Sequence, residues 1–224
     1  WIYFSGTKDG PTERHLYRVG FDGGTITRIS TEAGMHSAQF NAGASHYIGT
    51  YANPETPPQT LLRSADGNTA RALIDNTLDA DHPYTPYIKA HRQPEFGTLK
   101  AIDGQVLHYS LIKPAGFDAR KKYPVVVIVY GGPAAQTVTR NWAPDFNQVL
   151  AQRGYLVFSL DNRGTPRRGQ RFGASLYRKQ GTVEVTDQVR GVDFLKTLPY
   201  VDAKRIGVYG WSNGGYMSLM LLAK

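Results

Sequence analysis

The residues best suited to chemistry form the sequence G-W-S-N-G at positions 210–214. This matches the G-x-S-x-G pattern, in which a serine occupies a sharp turn between a strand and a helix. Side chains two positions either side of the serine would collide in such a turn, and Gly210 and Gly214 remove them. We therefore predict that Ser212 is a nucleophile. The alternative is an ordinary glycine-rich turn that happens to contain a serine.

A serine nucleophile needs a general base, normally a histidine that is held by a carboxylate. In proteins with this turn, the acidic residue and the histidine follow the serine in the chain. Neither type occurs among the twelve residues after Ser212. All six histidines precede it, and we interpret them as surface or packing residues: His15, His36, His46, His82, His91 and His108. The 224 residues alone are therefore predicted to be catalytically inactive and part of a larger polypeptide.

A second candidate site is the sequence V-Y-G-G-P at residues 129–133, at the end of the apolar run 124–130. In proteins with the serine turn, the loop after such a strand supplies one donor to the oxyanion. Two glycines allow the backbone to approach a ligand closely, and Tyr130 could donate its hydroxyl hydrogen. A tight turn capped by a buried tyrosine explains these residues equally well.

The elements that position these residues fall into two regions. Over residues 1–90, short apolar or alternating runs are separated by turn residues such as Asp-Gly-Gly and Asp-Gly-Asn, which predicts strands at 1–5, 15–19, 25–29, 37–40, 46–51, 59–64 and 70–74. Two similar units of about 40 residues fit propeller blades. A single antiparallel sheet is the alternative.

Residues 91–224 change to an alternation of strands and helices. A hairpin is predicted over 99–112, followed by strands at 124–130, 155–160 and 206–209 and by helices at 145–153, 186–198 and 214–224. Unbroken apolar runs indicate strands that are buried on both faces of a parallel sheet. The region therefore predicts an open α/β sheet. If the sheet ends at 206–209, that strand is an unpaired edge, and the piece should not fold alone.

Composition excludes several classes of site and partner. The chain has no cysteine, so disulfides and thiol chemistry are excluded, and we predict neither a cofactor nor a metal. No apolar run reaches the roughly 18 residues of a membrane-spanning helix. The formal charge is +8, but the most basic stretch, residues 163–171, contains no aromatic residue, and we predict no nucleic-acid binding.

Three motifs resemble those of one family. The sequence G-W-S-N-G-G-Y at 210–216 is similar to the G-W-S-x-G-G-Y signature of the prolyl oligopeptidase family, and Y-G-G-P at 130–133 is similar to its Y-x-G-P oxyanion loop. D-N-R-G at 161–164 resembles a D-x-R-G motif of its dipeptidyl peptidase IV group. The resemblance implies the N-terminal part of an α/β-hydrolase fold over 91–224, preceded by the last strands of a β-propeller over 1–90.

The resemblance also implies an activity and site roles. It implies a homodimeric serine peptidase, periplasmic or secreted, that removes N-terminal dipeptides whose second residue is Pro or Ala. Ser212 would attack the carbonyl, while the Tyr130 hydroxyl and the Asn213 backbone N–H would bind the oxyanion. Trp211 and Tyr216 would shape the substrate pocket, although both could equally be core aromatics. Asp161 and Arg163 would hold their loop through hydrogen bonds.

The chain departs from the family pattern in three ways. The catalytic Asp and His, the paired glutamates that bind the substrate amine, and the aromatic residues of the proline pocket are all absent from it. The substrate specificity is therefore implied by resemblance alone. Two alternatives remain open: another α/β-hydrolase, such as an acylaminoacyl peptidase or an esterase, and a non-catalytic peptide-binding module.

Overall fold

A computed structural model describes all residues, 1–224. The chain divides into two compact units. Unit 1 comprises residues 1–89 and 139–143, and unit 2 comprises residues 90–138 and 144–224. No helix is both long and apolar enough to cross a membrane.

Unit 1 contains two antiparallel sheets rather than one, so the single-sheet alternative is wrong. The first sheet has three strands, β1 (Ile2–Gly6), β2 (His15–Gly20) and β3 (Gly23–Arg28). The second is a four-stranded meander of β4 (Met35–Phe40), β5 (His46–Asn53), β6 (Thr56–Ser64) and β7 (Thr69–Ile74). The chain changes sheet through Gly34, whose φ of 124° suits glycine and whose added Cβ would lie 2.2 Å from the Ala52 carbonyl oxygen.

The two sheets of unit 1 are joined by apolar and aromatic side chains. Leu16, Ile29 and Tyr47 are buried together. Phe40 contacts rings of both sheets, with centroid distances of 4.3 Å to Tyr3 and 4.9 Å to Tyr47. Burial of such aromatic side chains supplies much of the stability of small sheets that have little other core.

Unit 2 is built on a mixed five-stranded sheet in the order β12-β10-β11-β9-β8. Its strands are β8 (Pro94–Lys100), β9 (Val106–Ile112), β10 (Tyr123–Ile128), β11 (Leu156–Asp161) and β12 (Val201–Tyr209). Strands β10, β11 and β12 are parallel, while β8 and β9 form the predicted hairpin and β9 pairs antiparallel with β11. The hairpin begins five residues earlier than predicted because Pro94 still pairs with Ile112.

Four helices accompany this sheet: α1 (Phe146–Gln152), α2 (Gln170–Gly173), α3 (Val183–Thr197) and α4 (Asn213–Leu222). Helix α1 begins where predicted, after Asp145, whose side chain accepts a hydrogen bond from the Asn147 N–H at 2.9 Å. Helix α3 begins three residues earlier than predicted. The Glu184 carboxylate accepts hydrogen bonds from the backbone N–H groups of Gly181 and Thr182, which stabilises the helix start.

The parallel strands differ in burial. All six residues of β11 are buried, as the apolar run predicted. Strand β12 was also predicted to be buried, and this was wrong: only Val201 is buried, and Tyr209 is exposed. The reason is its position, because β12 lies at the edge of the sheet and pairs only with β10.

Candidate active site

Ser212 lies between strand β12 and helix α4, in a left-handed backbone conformation with φ 56° and ψ −120°. This conformation is unfavourable for a residue with a Cβ atom and persists only where the surroundings enforce it. It directs the serine outward from the strand-to-helix turn and places it at the N-terminus of α4. The first backbone N–H groups of a helix have no partner within the helix and carry partial positive charge.

The two predicted glycines allow this turn to close. A Cβ atom at Gly210 would lie 2.2 Å from the Gly214 carbonyl oxygen, and one at Gly214 would lie 2.2 Å from the Val129 carbonyl oxygen. Both distances are far shorter than any real contact, and both involve backbone that cannot move aside. Gly215 has room for a Cβ, whose nearest neighbour would be 3.7 Å away. The clearance of the turn therefore depends on Gly210 and Gly214 and not on Gly215.

The structure brings the second candidate loop directly against the serine turn. The Asn213 side chain donates from Nδ2 to the Tyr130 carbonyl oxygen at 2.8 Å, and its Oδ1 accepts from Gln180 Nε2 at 2.7 Å. Tyr130 is half-buried, and the role of its hydroxyl stays a prediction. The two predicted oxyanion donors thus belong to residues that are joined by a hydrogen bond.

A set of buried polar side chains supports this loop from the end of strand β11. Asp161 Oδ1 accepts hydrogen bonds from the backbone N–H groups of Thr137 and Val138 and from the Thr137 hydroxyl. Burial nevertheless raises the pKa of the Asp161 carboxyl, against the effect of these hydrogen bonds. Next to it, Asn162 donates from Nδ2 to the Gly131 carbonyl oxygen at 3.0 Å.

Arg163 fixes the turn that follows β11 against helix α3. Its backbone N–H and its guanidinium both donate to the buried Asp187 carboxylate on α3, at 2.9 Å and 2.6 Å, and it also pairs with Asp103. The hydrogen bond to Asp187 raises the pKa of Arg163. Asp161 and Arg163 thus have the hydrogen-bonding role that the sequence predicted.

Sequence reasoning missed Asn162, Glu184, Asp187 and Gln188, all of which are fully buried. Buried polar side chains are nearly always hydrogen-bonded, so their burial marks them as part of a network. The available signal was the density of polar residues at 184–188 on a helix that packs on the sheet. Such density is untypical of a buried helical face.

The predicted pocket residues Trp211 and Tyr216 are exposed, at 82% and 39%. Their assignment to the substrate pocket stays a prediction. Tyr216 lies on α4 with its hydroxyl beside Gly181, where an added Cβ would meet it at 2.5 Å.

The histidines have the packing and surface positions that were predicted. His15 is buried in unit 1, with hydrogen bonds to Ser30 at 2.9 Å and to Glu13 at 2.9 Å, and its ring packs on that of His36. His46 is exposed. No group of three or more His, Asp or Glu side chains is arranged to hold a metal ion.

The strand, strained serine and helix on a partly parallel sheet define a class of protein, the α/β-hydrolases that use a serine nucleophile. The preceding sheets of unit 1 have the antiparallel meander of propeller blades, and neither they nor the unit 2 sheet is closed.

Comparison with known proteins narrows this class. Residues 144–224 match the model of the prolyl oligopeptidase family, and residues 1–58 match that of the dipeptidyl peptidase IV N-terminal region. A probable dipeptidyl peptidase 4 of Aspergillus flavus is 34% identical over 100% of this chain and 29% of its own length. Human dipeptidyl peptidase 8 is 34% identical over 99% of this chain and 25% of its own length.

Among solved structures, dipeptidyl peptidase 4 of Porphyromonas gingivalis superposes with a TM-score of 0.91 at 32% identity, covering 100% of this chain and 31% of that chain. The resemblance to the dipeptidyl peptidase IV group of the prolyl oligopeptidase family is therefore confirmed along the whole chain. The fold prediction, the N-terminal part of an α/β-hydrolase preceded by propeller strands, is confirmed as well. The chain spans about a quarter to a third of the length of these relatives.

Proposed function

We propose that the complete polypeptide is a serine exopeptidase that releases N-terminal dipeptides whose second residue is Pro or Ala. The observation that carries the proposal is the backbone of Ser212, held at a positive φ between β12 and α4 by two glycines that admit no side chain. Strain of this kind persists where function requires it. The relatives named as dipeptidyl peptidases support the choice of substrate class.

In the proposed mechanism, Ser212 Oγ attacks the carbonyl carbon of the substrate's second residue. Its proton passes to a histidine outside these 224 residues, which then donates it to the departing amine. The oxyanion accepts hydrogen bonds from the Tyr130 hydroxyl and the Asn213 N–H. Water then hydrolyses the acyl-enzyme, which releases the dipeptide and restores Ser212 Oγ–H. Removal of one oxyanion donor typically costs about 100-fold to 1,000-fold in kcat.

We further propose that residues 1–90 are the C-terminal blades of a propeller, that residues 91–224 begin the catalytic domain, and that the complete protein is a homodimer. Trp211 and Tyr216, exposed beside the nucleophile, supply apolar contact area to the substrate. Light scattering on the complete polypeptide tests the dimer directly, and a monomeric mass would overturn that part.

The catalytic proposal is tested with chromogenic Gly-Pro and Ala-Ala anilides, an N-acetylated Ala anilide and a simple ester. The complete polypeptide is expected to cleave the first two anilides, and Ser212→Ala should abolish cleavage. Preference for the acetylated substrate would favour an acylaminoacyl peptidase, and cleavage of the ester alone would favour an esterase. Binding of a Gly-Pro peptide without any cleavage would identify a non-catalytic module.

A further inference from the structure

The corner formed by Tyr130 and Gly131 is held by the side-chain amides of two asparagines from different elements. Asn213 donates to the Tyr130 carbonyl oxygen at 2.8 Å, and Asn162 donates to the Gly131 carbonyl oxygen at 3.0 Å. Two consecutive carbonyl groups, those of Tyr130 and Gly131, are therefore fixed. Gly131 itself has φ 74°, which allows the chain to turn sharply here.

The orientation of the Asn162 amide is fixed by its other partners. Nδ2 also donates to the Arg163 carbonyl oxygen at 2.6 Å, and Oδ1 accepts from Gln188 Nε2 at 2.8 Å. A flipped amide would place Oδ1 against two carbonyl oxygens and the NH₂ group against another NH₂ group. Every hydrogen-bonding hydrogen of this fully buried side chain is therefore used in one arrangement.

Gln188 connects this amide to the core of unit 2. It is buried on α3, and its Nε2 also donates to the Leu160 carbonyl oxygen on β11 at 2.8 Å. The chain Leu160–Gln188–Asn162–Gly131 thus runs from the central strand to the corner without contact with water. The equivalent bond from Gln180 to Asn213 is exposed to solvent. Of the two amide supports, the one through Asn162 is thus shielded from competing water.

We propose that Asn162, oriented by Gln188, is a positioning residue that sets the Tyr130 hydroxyl against the oxyanion site beside Ser212. This inference rests on the proposed role of Tyr130 as an oxyanion donor. Asn162 itself contacts no reacting atom and acts through the backbone of residues 130–131. A displacement of about 1 Å in a catalytic group can cost about 100-fold in rate. The buried network that fixes residues 130–131 therefore has a large effect on catalysis.

The test measures the rate at which a fluorophosphonate labels Ser212 in the complete polypeptide. Asn162→Asp keeps the shape of the side chain but cannot donate to the Gly131 carbonyl, and Asn162→Ala removes the donor without burying a charge. Each is made alone and together with Tyr130→Phe. The control is Asn53→Asp, which makes the same substitution at an exposed amide that donates to the Ala33 carbonyl in unit 1.

We expect Tyr130→Phe to slow labelling by about 100-fold. Each Asn162 variant should slow it by about 10-fold when Tyr130 is present but by less than about twofold in the Tyr130→Phe background, because the hydroxyl to be positioned is already gone. Asn53→Asp should label at the wild-type rate. Steady-state assays should show a lower kcat for the Asn162 variants with KM little changed.

Equal slowing of labelling in both backgrounds would overturn the inference, since it would indicate a general structural role. Wild-type labelling rates in both Asn162 variants would overturn it as well. Labelling also separates this inference from the proposed function. Rapid labelling of Ser212 without any dipeptide release would overturn the substrate assignment and leave the positioning role supported by the Tyr130 dependence. Absence of any adduct on wild-type Ser212 would overturn both.

Discussion

Buried polar side chains have different structural roles in the two units. In unit 1, buried His15, His36 and Arg63 form hydrogen bonds to Ser30 and Glu32, which lie in the segment that connects the two sheets. In unit 2, Asp161 and Asn162 extend from the central strand to the loop that follows β10. The same requirement, that buried polar groups be hydrogen-bonded, thus holds the segment between two sheets in one unit and the candidate oxyanion loop in the other.

A second difference concerns backbone strain. The positive φ of Ala44 in unit 1 falls in a turn whose surroundings are open, since nothing lies near a Cβ at the neighbouring Gly43. The positive φ of Ser212 falls between two glycines that are in backbone contact. Strain at a site that tight packing enforces is the kind expected at a functional position. The comparison therefore predicts that substitutions near Ser212 affect activity far more than equivalent ones in unit 1.

The largest effect is expected from Gly214→Ala. Its Cβ would lie 2.2 Å from the Val129 carbonyl oxygen, so either the serine turn or strand β10 must shift. We expect activity of the complete polypeptide to fall by about 1,000-fold or more, approaching the loss of the nucleophile itself. Gly215→Ala is the matched control, because its Cβ meets nothing closer than 3.7 Å and alanine favours a helix. Equal activity in the two variants would contradict the steric account.

A smaller effect, on stability, distinguishes the ion pairs of the two units. Asp187 is 0% exposed beside Arg163, whereas Glu32 is 30% exposed beside Arg63. Removing one partner of a buried pair leaves the other charge uncompensated, so Asp187→Ala should lower the free energy of unfolding by about 3 kcal/mol. Glu32→Ala leaves the buried Arg63 guanidinium with its hydrogen bond to the Gly67 carbonyl, and the lost carboxylate is already partly hydrated, so this variant should cost less, about 2 kcal/mol.

Urea unfolding of the complete polypeptide measures both variants. Asp193→Ala serves as the control, because Asp193 pairs with Arg190 only at 3.6 Å and on the surface, and we expect a change within about 0.5 kcal/mol. A larger loss of unfolding free energy for Glu32→Ala than for Asp187→Ala would contradict the predicted order of the two ion pairs.

The smallest expected effect is the contribution of His36 in unit 1 to the pH dependence of stability. Burial, and then the neighbouring charge of His15, lower the pKa of His36 below 6.5, while the Glu32 carbonyl, hydrogen-bonded at 2.7 Å, acts in the opposite direction. Arg63 lowers this pKa further, and the Tyr51 ring stacks on the imidazole. As pH falls below about 6.5, the unfolded chain therefore binds a proton at His36 before the folded chain does. Stability contributed by neutral His36 is complete above that pH and is lost as pH falls toward the folded-state pKa.

We expect the free energy of unfolding to fall between pH 7 and pH 5.5 by up to about 1 kcal/mol more in the wild-type protein than in His36→Gln. Thermal unfolding at the two pH values measures this difference. An identical pH slope in the two proteins would contradict the assigned burial of His36.

Much of the fold was predictable because local signals agreed with the tertiary structure. The Asp-Gly turns at 22–23 and 66–67 separate strands as expected, and the apolar run at 155–160 is a fully buried strand. The apolar composition of β12 predicted a buried strand, but its exposure follows from the edge position that was expected if the sheet ends there. The division of unit 1 into two sheets was predicted from its two similar units.

The part of the candidate site that could be predicted is the serine turn, because its residues are close together in the sequence. Gly210, Ser212 and Gly214 are recognised from the steric demands of one turn. The side-chain bonds of Asn162 and Asn213 to the corner at residues 130–131 join positions 31 and 83 apart in sequence. No local pattern encodes such pairs, since they form only when two parallel strands place their carboxyl ends side by side.

The most direct test of the central claim, that Ser212 is an activated nucleophile in the complete polypeptide, is intact-mass spectrometry before and after treatment with a fluorophosphonate. We predict one adduct, located on Ser212 and absent from Ser212→Ala, whereas the 224-residue chain alone should gain none because it supplies no histidine after the serine. An unlabelled complete polypeptide, or an adduct on another residue, would contradict the account.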